Sequence, residues 1–422
     1  MIGKSTLIEK AQNILALNDL GGYTVPTHDL YPFQWNWDAA ITALGWMKID
    51  EARAWQEIHM LLKGQWENGM IPHIIFHKEV DSYFPGADVW GVNRGLRTTS
   101  ISQPPVLASV VKIMFEQAKD KELAERNTKQ ILDNLINYHQ WWYRKRDPDL
   151  TGLVVSYHPW ESGMDNSPAW DKSLALVPPV SWAYKRKDIE HVDSSERPHA
   201  DEYDRYLYLV DFFKTCNFDG KEIYQNCPYK MHDVGIISIL HKATKDIISL
   251  CNEMQYTPDS MSTLSSRVAL TESSFSQLWS ENHHSFLNRD AISGELCPVL
   301  TTGTMMALYG ELANDSQAAQ LKELLKNWLS ATKYGMSSTY AKCPEFEPQR
   351  YWRGPVWLHI NWLLTLGSES YGFTEEAMLI KESALELITN EGYYEYFNCN
   401  TGAGCGGDSF SWTAAISLHW LL

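Results

Sequence analysis

Residues 121–146 read KELAERNTKQILDNLINYHQWWYRKR, and this stretch decides the fold class. Its apolar side chains recur at intervals of three and four residues, which is the spacing of one face of an α-helix. They are Leu123, Ile131, Leu132, Leu135, Ile136 and Trp142. The pattern predicts one long amphipathic helix. Segments of the same kind precede and follow it, so we expect the whole chain to be built from helices.

The helical pattern occurs along all 422 residues. It predicts about thirteen or fourteen helices, including residues 2–17, 39–47, 51–64, a segment ending near 119, 121–146, 203–213, 234–253, 257–281, 301–309, 317–329, 357–366, 375–387 and 410–422. Strand-like runs are few, and no Pro/Gly/Ser-rich linker divides the chain. We therefore predict a single all-α domain over residues 1–422. An (α/α)6 barrel with long loops at one rim fits this helix count, and so does a superhelical solenoid.

Composition excludes several classes of function. The formal net charge of -16 argues against nucleic acid as a partner. No apolar run approaches the 18 residues of a membrane span, and no signal-peptide block opens the chain. The seven cysteines form no CxxC pair, which disfavours a disulfide framework or zinc site and favours a cytoplasmic location. No metal or other cofactor is expected, and the sequence leaves a homo-oligomer open.

The loops between the predicted helices are rich in aromatic residues. The chain has 18 Trp and 21 Tyr, concentrated with polar residues at 31–38, 65–76, 83–90, 98–105, 157–170, 351–357 and 393–412. Aromatic rings match the C–H faces of sugar rings, although clusters of Trp can equally be structural. If these loops meet at one end of a barrel, they enclose a cleft for a small sugar.

Acidic residues in two of these loops are candidates for catalysis. Glu161 and Asp165 lie in the loop sequence WESGMDNSP, where they either cap a helix or act on a substrate. Glu395 is flanked by aromatic residues in EGYYEYFN. Glycoside hydrolysis needs two carboxyl groups in unlike environments, one to protonate the leaving oxygen and one to activate water. Three further acids compete for these roles: Glu67, Asp408 and Asp38, the last of which could instead cap the helix that follows it.

Five segments in the same order resemble the mannosylglycerate and glucosylglycerate hydrolases of glycoside hydrolase family 63. They are Tyr31–Asp38, Gln103–Pro105, Pro159–Pro168, Tyr351–Trp357 and Tyr394–Trp412, and the resemblance covers nearly the whole chain. It implies an (α/α)6 barrel and an inverting mechanism. It also implies that Asp165 is the general acid and Glu395 the general base.

The resemblance further implies a set of substrate-binding residues. Those of the sugar subsite are Tyr31, Trp35, Trp37, Asp38, Gln103, Tyr351, Trp352, Gly354 and Trp357, with Tyr83 as a further loop tyrosine. Arg197 and Tyr203, in an irregular polar excursion over 182–203, resemble the pair that holds the glycerate carboxylate. Arginine offers a planar bidentate match to carboxylate, whereas the alternative for Arg197 is a solvated loop charge.

We therefore predict an inverting α-glycosidase that releases a free sugar and glycerate from 2-O-α-glucosylglycerate or 2-O-α-mannosylglycerate. The sequence does not decide between the two sugars. A trehalase or other short α-glucoside hydrolase is the nearest alternative, and a non-catalytic sugar-binding barrel is another. An (α/α)6 sugar epimerase would rely on paired histidines, whereas only His158 lies at the edge of the acidic loops.

Overall fold

The computed structural model describes residues 3–28, 30–190 and 192–421. Within these ranges the chain forms sixteen α-helices: α1 (Lys4–Asn18), α2 (Asn36–Trp46), α3 (Glu51–Leu62), α4 (Ala87–Trp90), α5 (Leu107–Gln117), α6 (Lys121–Arg146), α7 (Asp171–Leu174), α8 (Ala200–Thr215), α9 (Gly220–Asn226), α10 (Val234–Glu253), α11 (Met261–Ser274), α12 (Thr302–Met305), α13 (Asp315–Leu329), α14 (Leu358–Ser370), α15 (Thr374–Asn390) and α16 (Ser411–Ile416).

Short antiparallel strands occupy the connections between helices. They are β1 (Gln34–Trp35), β2 (Ile74–Phe76), β3 (Arg97–Thr98), β4 (Met231–His232), β5 (Trp279–Ser280), β6 (Ser285–Phe286), β7 (Arg289–Asp290), β8 (Tyr396–Phe397) and β9 (Gly404–Cys405). The first three form one sheet in the order β1-β2-β3, and the others pair as β4-β7, β5-β6 and β8-β9. None of these strands exceeds three residues, so they brace loops and form no sheet layer.

Six helices form an inner ring, namely α2, α5, α10, α12, α14 and α16. In this ring α2 packs on α5, α5 on α10, α10 on α12, α14 on α16, and α16 back on α2. The contact between α12 and α14 closes the ring. It is made by the turn after α12, where the backbone of Leu308 and Tyr309 lies against Gly367 of α14. The outer helices α3, α6, α11, α13 and α15 follow the inner ones along the chain, and α1 packs on α16. The ring is closed, which confirms the (α/α)6 barrel and excludes an open solenoid.

Small residues allow the inner helices to approach closely. A Cβ added to Gly45 of α2 would lie 2.6 Å from the Cα of Ala415 in α16, and one added to Gly310 would lie 2.9 Å from the Cα of Ser238 in α10. All eleven residues of α2 are buried, as expected of a helix that contacts protein on every side. The packed inner ring gives a rigid base for the loops at its rim.

Several predicted helices match the structure closely and others do not. The helices over 121–146 and 234–253 have the predicted bounds. The helix predicted over 257–281 ends at Ser274 and continues as a 3-10 turn and β5, and that predicted over 301–309 shortens to α12 followed by turns. The last helix ends in a π-turn over Ser417–Leu421. The predicted ends at residues 2 and 422 lie outside the described residues.

The alternative role of Asp38, that of a helix cap, is wrong. Trp35 occupies the N-cap position of α2, because the extended backbone ends there and the helix begins at Asn36. Trp37 and Asp38 therefore lie in the first turn of α2. This turn directs both residues to the rim of the ring.

The hydropathy of the helices and the state of the cysteines can be compared with the sequence predictions. No helix in the described part of the chain is long and apolar enough to cross a membrane. All seven cysteines are free thiols, and six of them are buried.

Candidate active site

Loops that lead into the inner helices enclose a cavity of about 850 Å³ up to its open mouth. Thirteen of the fourteen predicted site residues line it: Tyr31, Trp35, Trp37, Asp38, Tyr83, Gln103, Asp165, Arg197, Tyr203, Tyr351, Trp352, Trp357 and Glu395. They come from segments up to 364 residues apart in sequence. The structure thus brings together nearly all of the residues that the sequence singled out.

Gly354 is the predicted site residue that does not line the cavity. A Cβ at this position would lie 2.2 Å from the carbonyl oxygen of Glu347 and 2.8 Å from the Cα of Pro348. Glycine is therefore required here by a close approach of two backbone segments. Gly354 therefore shapes the loop that carries Tyr351 and Trp352, and its role is structural.

Glu395 is fully enclosed at the cavity wall. Its Oε1 accepts a hydrogen bond from the Tyr31 hydroxyl at 3.1 Å, and its Oε2 accepts one from the backbone N–H of Gly407, also at 3.1 Å. Nη1 of Arg197 lies 3.8 Å from Oε1. Burial raises the pKa of Glu395, while the charge of Arg197 and these hydrogen bonds act in the opposite direction. The carboxylate is thus held in place by donors on both oxygens.

The glycine-rich run over 404–407 makes this arrangement possible. Gly406 adopts a φ of +70°, and a Cβ there would lie 2.4 Å from Oε2 of Glu395. Its N–H donates to the carboxylate of Glu196 at 2.9 Å, which ties the run to the irregular excursion. Only a residue without a side chain fits between the two acids.

Asp165 has a different environment from Glu395. It lies in the loop between two 3-10 turns, Pro159–Ser162 and Pro168–Trp170. Its backbone carbonyl accepts a hydrogen bond from Tyr206, but among the described residues no side chain donates a hydrogen bond to its carboxyl group. Burial and the negative charge of Glu395 raise the pKa of Asp165, and the positive charge of Arg197 opposes them. The resulting pKa is about 7. Asp165 therefore holds a proton near neutral pH.

The competing acids occupy other positions. Glu161 is fully buried away from the cavity, where its Oε1 accepts from Nη2 of Arg146 at 2.5 Å and from the N–H of Ser102 at 3.2 Å. Its Oε2 accepts from the N–H of Tyr157 at 3.1 Å. Glu161 thus anchors the loop that carries Asp165. Two other candidates, Glu67 and Asp408, are exposed and outside the cavity.

Asp38 faces the cavity from the first turn of α2. Over the described ranges, no side-chain donor pairs with its carboxyl group. Burial raises the pKa of Asp38 well above its usual value, and the charges of Glu395 and Asp165 raise it further. Beside it, the Oε1 of Gln103 accepts from the N–H of Trp37 at 3.1 Å, so the amide NH2 of Gln103 is turned toward the cavity. Both side chains are placed to bind hydroxyl groups.

Tryptophan side chains form the floor of the cavity. The rings of Trp352 and Trp357 stack in parallel, with centroids 3.9 Å apart and an angle of 3°. The indole of Trp357 donates to the carbonyl of Tyr351 at 3.0 Å, and that of Trp412 donates to the carbonyl of Glu395 at 3.1 Å. These bonds fix flat apolar faces of the kind that pack on sugar rings.

Arg197 is buried, so its interpretation as a solvated loop charge is wrong. Its Nη1 donates to the Tyr31 hydroxyl at 2.9 Å, and its Nε donates to Oδ2 of Asp188 at 3.2 Å. The guanidinium lies 4.3 Å from the ring centroid of Tyr351. Within the described residues Nη2 has no hydrogen-bond acceptor, so the guanidinium keeps a donor for a ligand.

Tyr203 lies in α8, which begins at Ala200, three residues before the predicted start of this helix. Its hydroxyl donates to the carbonyl of Phe84 at 3.1 Å, which joins α8 to the loop of Tyr83. The excursion itself contains two 3-10 turns, Asp188–Glu190 and Ser194–Glu196, before α8 begins.

The cavity also contains charged residues that were not predicted. Lys187 and Asp188 line it, and Arg186 donates to Asp188 through Nε at 3.0 Å and Nη2 at 2.5 Å. Burial raises the pKa of Asp188, but Arg186 and Arg197 outweigh it, and the net pKa is lowered. Asp188 therefore fixes the orientation of Arg197. The run of three basic residues at 185–187 directly before Asp188 was the available sequence signal.

The described residues include no group of three or more His, Cys, Asp or Glu side chains that could hold a metal ion. The polar groups that line the cavity include carboxyl groups, tyrosine hydroxyl groups, the amide of Gln103, the ammonium of Lys187 and the guanidinium of Arg197.

Comparison with known proteins agrees with this geometry. Residues 31–413 match the profile of the mannosylglycerate hydrolase MGH1-like glycoside hydrolase domain. The chain belongs to this family. It is 42% identical over 420 residues to mannosylglycerate hydrolase MGH1 of Selaginella moellendorffii, and the match covers 99% of this chain and 86% of that protein. Family membership makes the chain a glycoside hydrolase, which sets aside the sugar epimerase and the non-catalytic barrel.

Two further relatives extend the comparison. The crystal structure of the family 63 mannosylglycerate hydrolase of Thermus thermophilus with Tris and D-glycerate superposes with a TM-score of 0.95 at 42% identity, covering 98% of this chain and 99% of that one. Glucosylglycerate hydrolase of Mycolicibacterium hassiacum is 33% identical over 435 residues, covering 98% and 97% of the two chains. These matches confirm the resemblance and the barrel fold.

Proposed function

We propose that this glycoside hydrolase inverts the anomeric centre while it hydrolyses 2-O-α-mannosylglycerate or 2-O-α-glucosylglycerate to free sugar and glycerate. One observation carries the proposal: Asp165 and Glu395 line a single cavity in unlike environments, with the buried Arg197 beside them. The names of the relatives support both substrates. They do not decide between the two sugars, which differ in the orientation of one hydroxyl group.

Asp165 is the proposed general acid. A pKa raised to about 7 leaves its carboxyl group protonated in a substantial fraction of molecules at neutral pH. Because no hydrogen-bond acceptor within the described residues holds the proton of the Asp165 carboxyl group, that proton is available to the glycosidic oxygen. The leaving glycerate then departs as an alcohol, and Asp165 becomes a carboxylate.

Glu395 is the proposed general base. The donors from Tyr31 and Gly407 favour its charged form and fix the carboxylate plane. In an inverting reaction the base takes a proton from a water molecule that attacks the face of the sugar opposite the leaving group. The new C–O bond forms to this water as the glycosidic bond breaks, so each turnover returns Asp165 and Glu395 to their starting states after proton exchange with solvent.

Arg197 is the proposed partner of the glycerate carboxylate, together with Tyr203 and the neighbouring Lys187. Its Nη2, which has no acceptor within the described residues, gives a charge-assisted hydrogen bond in a buried setting, where such bonds are strongest. A neutral disaccharide such as trehalose would leave that donor without an acceptor, at a desolvation cost. This contact favours a glycerate-linked substrate over trehalose.

The test is a comparison of kcat/KM for mannosylglycerate, glucosylglycerate and trehalose. We expect turnover of at least one glycerate substrate well above that of trehalose. Asp165→Asn and Glu395→Gln should each lower it by about a thousandfold or more, the range of lost acid–base catalysis. Glu67→Gln, an exposed acid outside the cavity, is the matched control. Preference for trehalose, or full activity in either site variant, would contradict the proposal.

A further inference from the structure

A second cavity, of about 940 Å³ up to its mouth, lies beside the first and shares none of its lining residues. The wall combines cations with aromatic rings, namely Arg94, Lys145, Arg146, Trp66, Trp141 and Tyr157. This composition is unusual for a chain with a net charge of -16, and nothing in the proposed hydrolysis uses it.

The cations of this wall are available for a ligand. Within the described part of the chain, neither Lys145 nor Arg94 forms an ion pair. The Arg94 guanidinium lies 4.6 Å from the ring centroid of Trp66. The acid in the wall, Asp219, is already engaged, because its Oδ1 accepts the N–H groups of Lys221 and Glu222 at 2.9 Å. The wall thus carries three positive side chains, Arg94, Lys145 and Arg146, against one negative side chain, Asp219, and this net positive charge selects an anion.

Arg146 connects the two cavities. Its guanidinium lies 4.2 Å from the ring centroid of Tyr157 and 4.8 Å from that of Trp141, and its side chain is 5% exposed. Nη2 donates to Glu161, the anchor of the Asp165 loop, whereas the buried Nε has no partner among the described residues. A buried guanidinium with such an N–H at the wall of a cavity is a site where an anion would be stabilised.

Two backbone segments run from one cavity wall to the other. Ser100 and Ile101 line the second cavity, and Gln103 lines the first. Tyr157 lines the second, and Trp160 the first. Glu161 accepts N–H groups from both segments, at Ser102 and Tyr157. Any ligand that draws the Arg146 charge away from Glu161 therefore acts on both walls of the catalytic cavity.

We propose that the second cavity binds a small sugar phosphate, and that this ligand lowers turnover by competing with Glu161 for Arg146. Several cations around one opening suit a phosphate dianion, and the aromatic faces suit a sugar ring. Asn217 and Ser100, whose buried hydroxyl has no partner in the described ranges, supply polar groups for sugar hydroxyls. Arg146 acts here as a positioning residue for the catalytic loop.

The first test is calorimetric titration of the whole protein with glucose 6-phosphate, with inorganic phosphate and glucose as separate arms. We expect glucose 6-phosphate to bind with a Kd below about 1 mM and more tightly than phosphate alone. Lys145→Ala should weaken it about tenfold, as expected for one lost charged contact. Arg126→Ala, on the exposed face of the same helix, should not. No binding up to about 10 mM, or equal affinity in Lys145→Ala, would overturn the proposal.

The second test is the effect of the same ligand on catalysis. Saturating glucose 6-phosphate should lower kcat about fivefold, the lower end of coupling between sites, with little change in KM. Lys145→Ala should keep its basal activity and lose this response. A purely competitive effect, or binding that leaves kcat unchanged, would overturn the coupling through Arg146. The titration needs no turnover, so its outcome is independent of the proposed hydrolysis.

Discussion

The hydroxyl of Tyr31 donates a hydrogen bond to Oε1 of Glu395 at 3.1 Å. The same hydroxyl accepts a hydrogen bond from Nη1 of Arg197 at 2.9 Å. One tyrosine thus joins the proposed base to the proposed carboxylate-binding arginine. Because each partner orients the other, a change at Tyr31 should alter both the reaction and its pH dependence.

Replacement of Tyr31 by Phe removes a donor to the Glu395 carboxylate. We expect kcat/KM to fall by about tenfold to a hundredfold, since hydrogen bonds to charged groups contribute about 1.5–3 kcal/mol. The lost donor also raises the pKa of Glu395, and the base must be ionised, so the acidic limb of the pH profile should move to higher pH. Tyr143→Phe, which removes a buried hydroxyl bonded to Thr244 remote from the cavity, is the control. An unmoved acidic limb in Tyr31→Phe would contradict the role of this contact.

Gly406→Ala tests the close approach of the glycine-rich run to the base. The added Cβ would lie 2.4 Å from Oε2 of Glu395, so we expect the carboxylate to be displaced and kcat to fall sharply. Gly372 is a matched control, because its φ of +73° is nearly that of Gly406 and a Cβ there meets nothing within 4 Å. Gly372→Ala should therefore cost some stability, as positive φ is strained for alanine, and leave kcat intact. Equal kinetic effects of the two substitutions would show that the contact with Glu395 is unimportant.

Arg197→Ala tests the glycerate contact through a ratio of substrates. Arg197 also lies near Glu395, so activity on every substrate should fall to some extent. For a glycerate-linked substrate we expect an additional loss of about tenfold to a hundredfold relative to the methyl glycoside of the same sugar. Lys187→Ala should change this ratio less, because Lys187 is only partly buried. The same loss on both substrates would reject the carboxylate contact.

Asp165 should set the alkaline limb of the pH profile. With a pKa of about 7, it loses its proton as pH rises through neutrality, and activity should fall with it. The pKa is raised from 3.8 on folding, so the folded state binds this proton more tightly than the unfolded state does, and stability declines as pH rises from about 4 toward 7. Asp165→Asn should therefore raise Tm more at pH 8 than at pH 5. Glu67→Gln, at an exposed position, should show no such difference, and a pH-independent Tm change in Asp165→Asn would contradict the burial of its charge.

The sequence predicted those helices whose ends carry local signals. The helix over 121–146 begins after Asp120, whose side chain caps it by accepting the N–H of Leu123, and this signal is visible in the sequence. The region 257–281 has no such stop signal. Its helix ends at Ser274 because the following residues pair as β5 with β6, and that pairing depends on the tertiary structure.

Tertiary structure also decides which acidic residues belong to the candidate active site. Glu161 and Asp165 lie four residues apart and look equivalent in sequence, yet one is paired with Arg146 inside the protein and the other faces the cavity. The positions of Arg146 and of the N–H groups of Ser102 and Tyr157, which all donate to Glu161, separate the two acids. The family resemblance predicted thirteen residues of the cavity wall but not Phe84, Trp160, Phe410 and Trp412. Asp188 was missed because its importance comes from two arginines that converge on it in space.

Inverting hydrolysis of a glycerate-linked sugar can be followed in a proton NMR time course. The purified protein would be mixed in parallel with 2-O-α-mannosylglycerate and 2-O-α-glucosylglycerate, and the anomeric signals followed before mutarotation equilibrates them. We predict that the β-anomer of the free sugar appears first, with glycerate released in equal amount. Initial release of the α-anomer would contradict the assignment of Asp165 and Glu395 as an inverting acid–base pair.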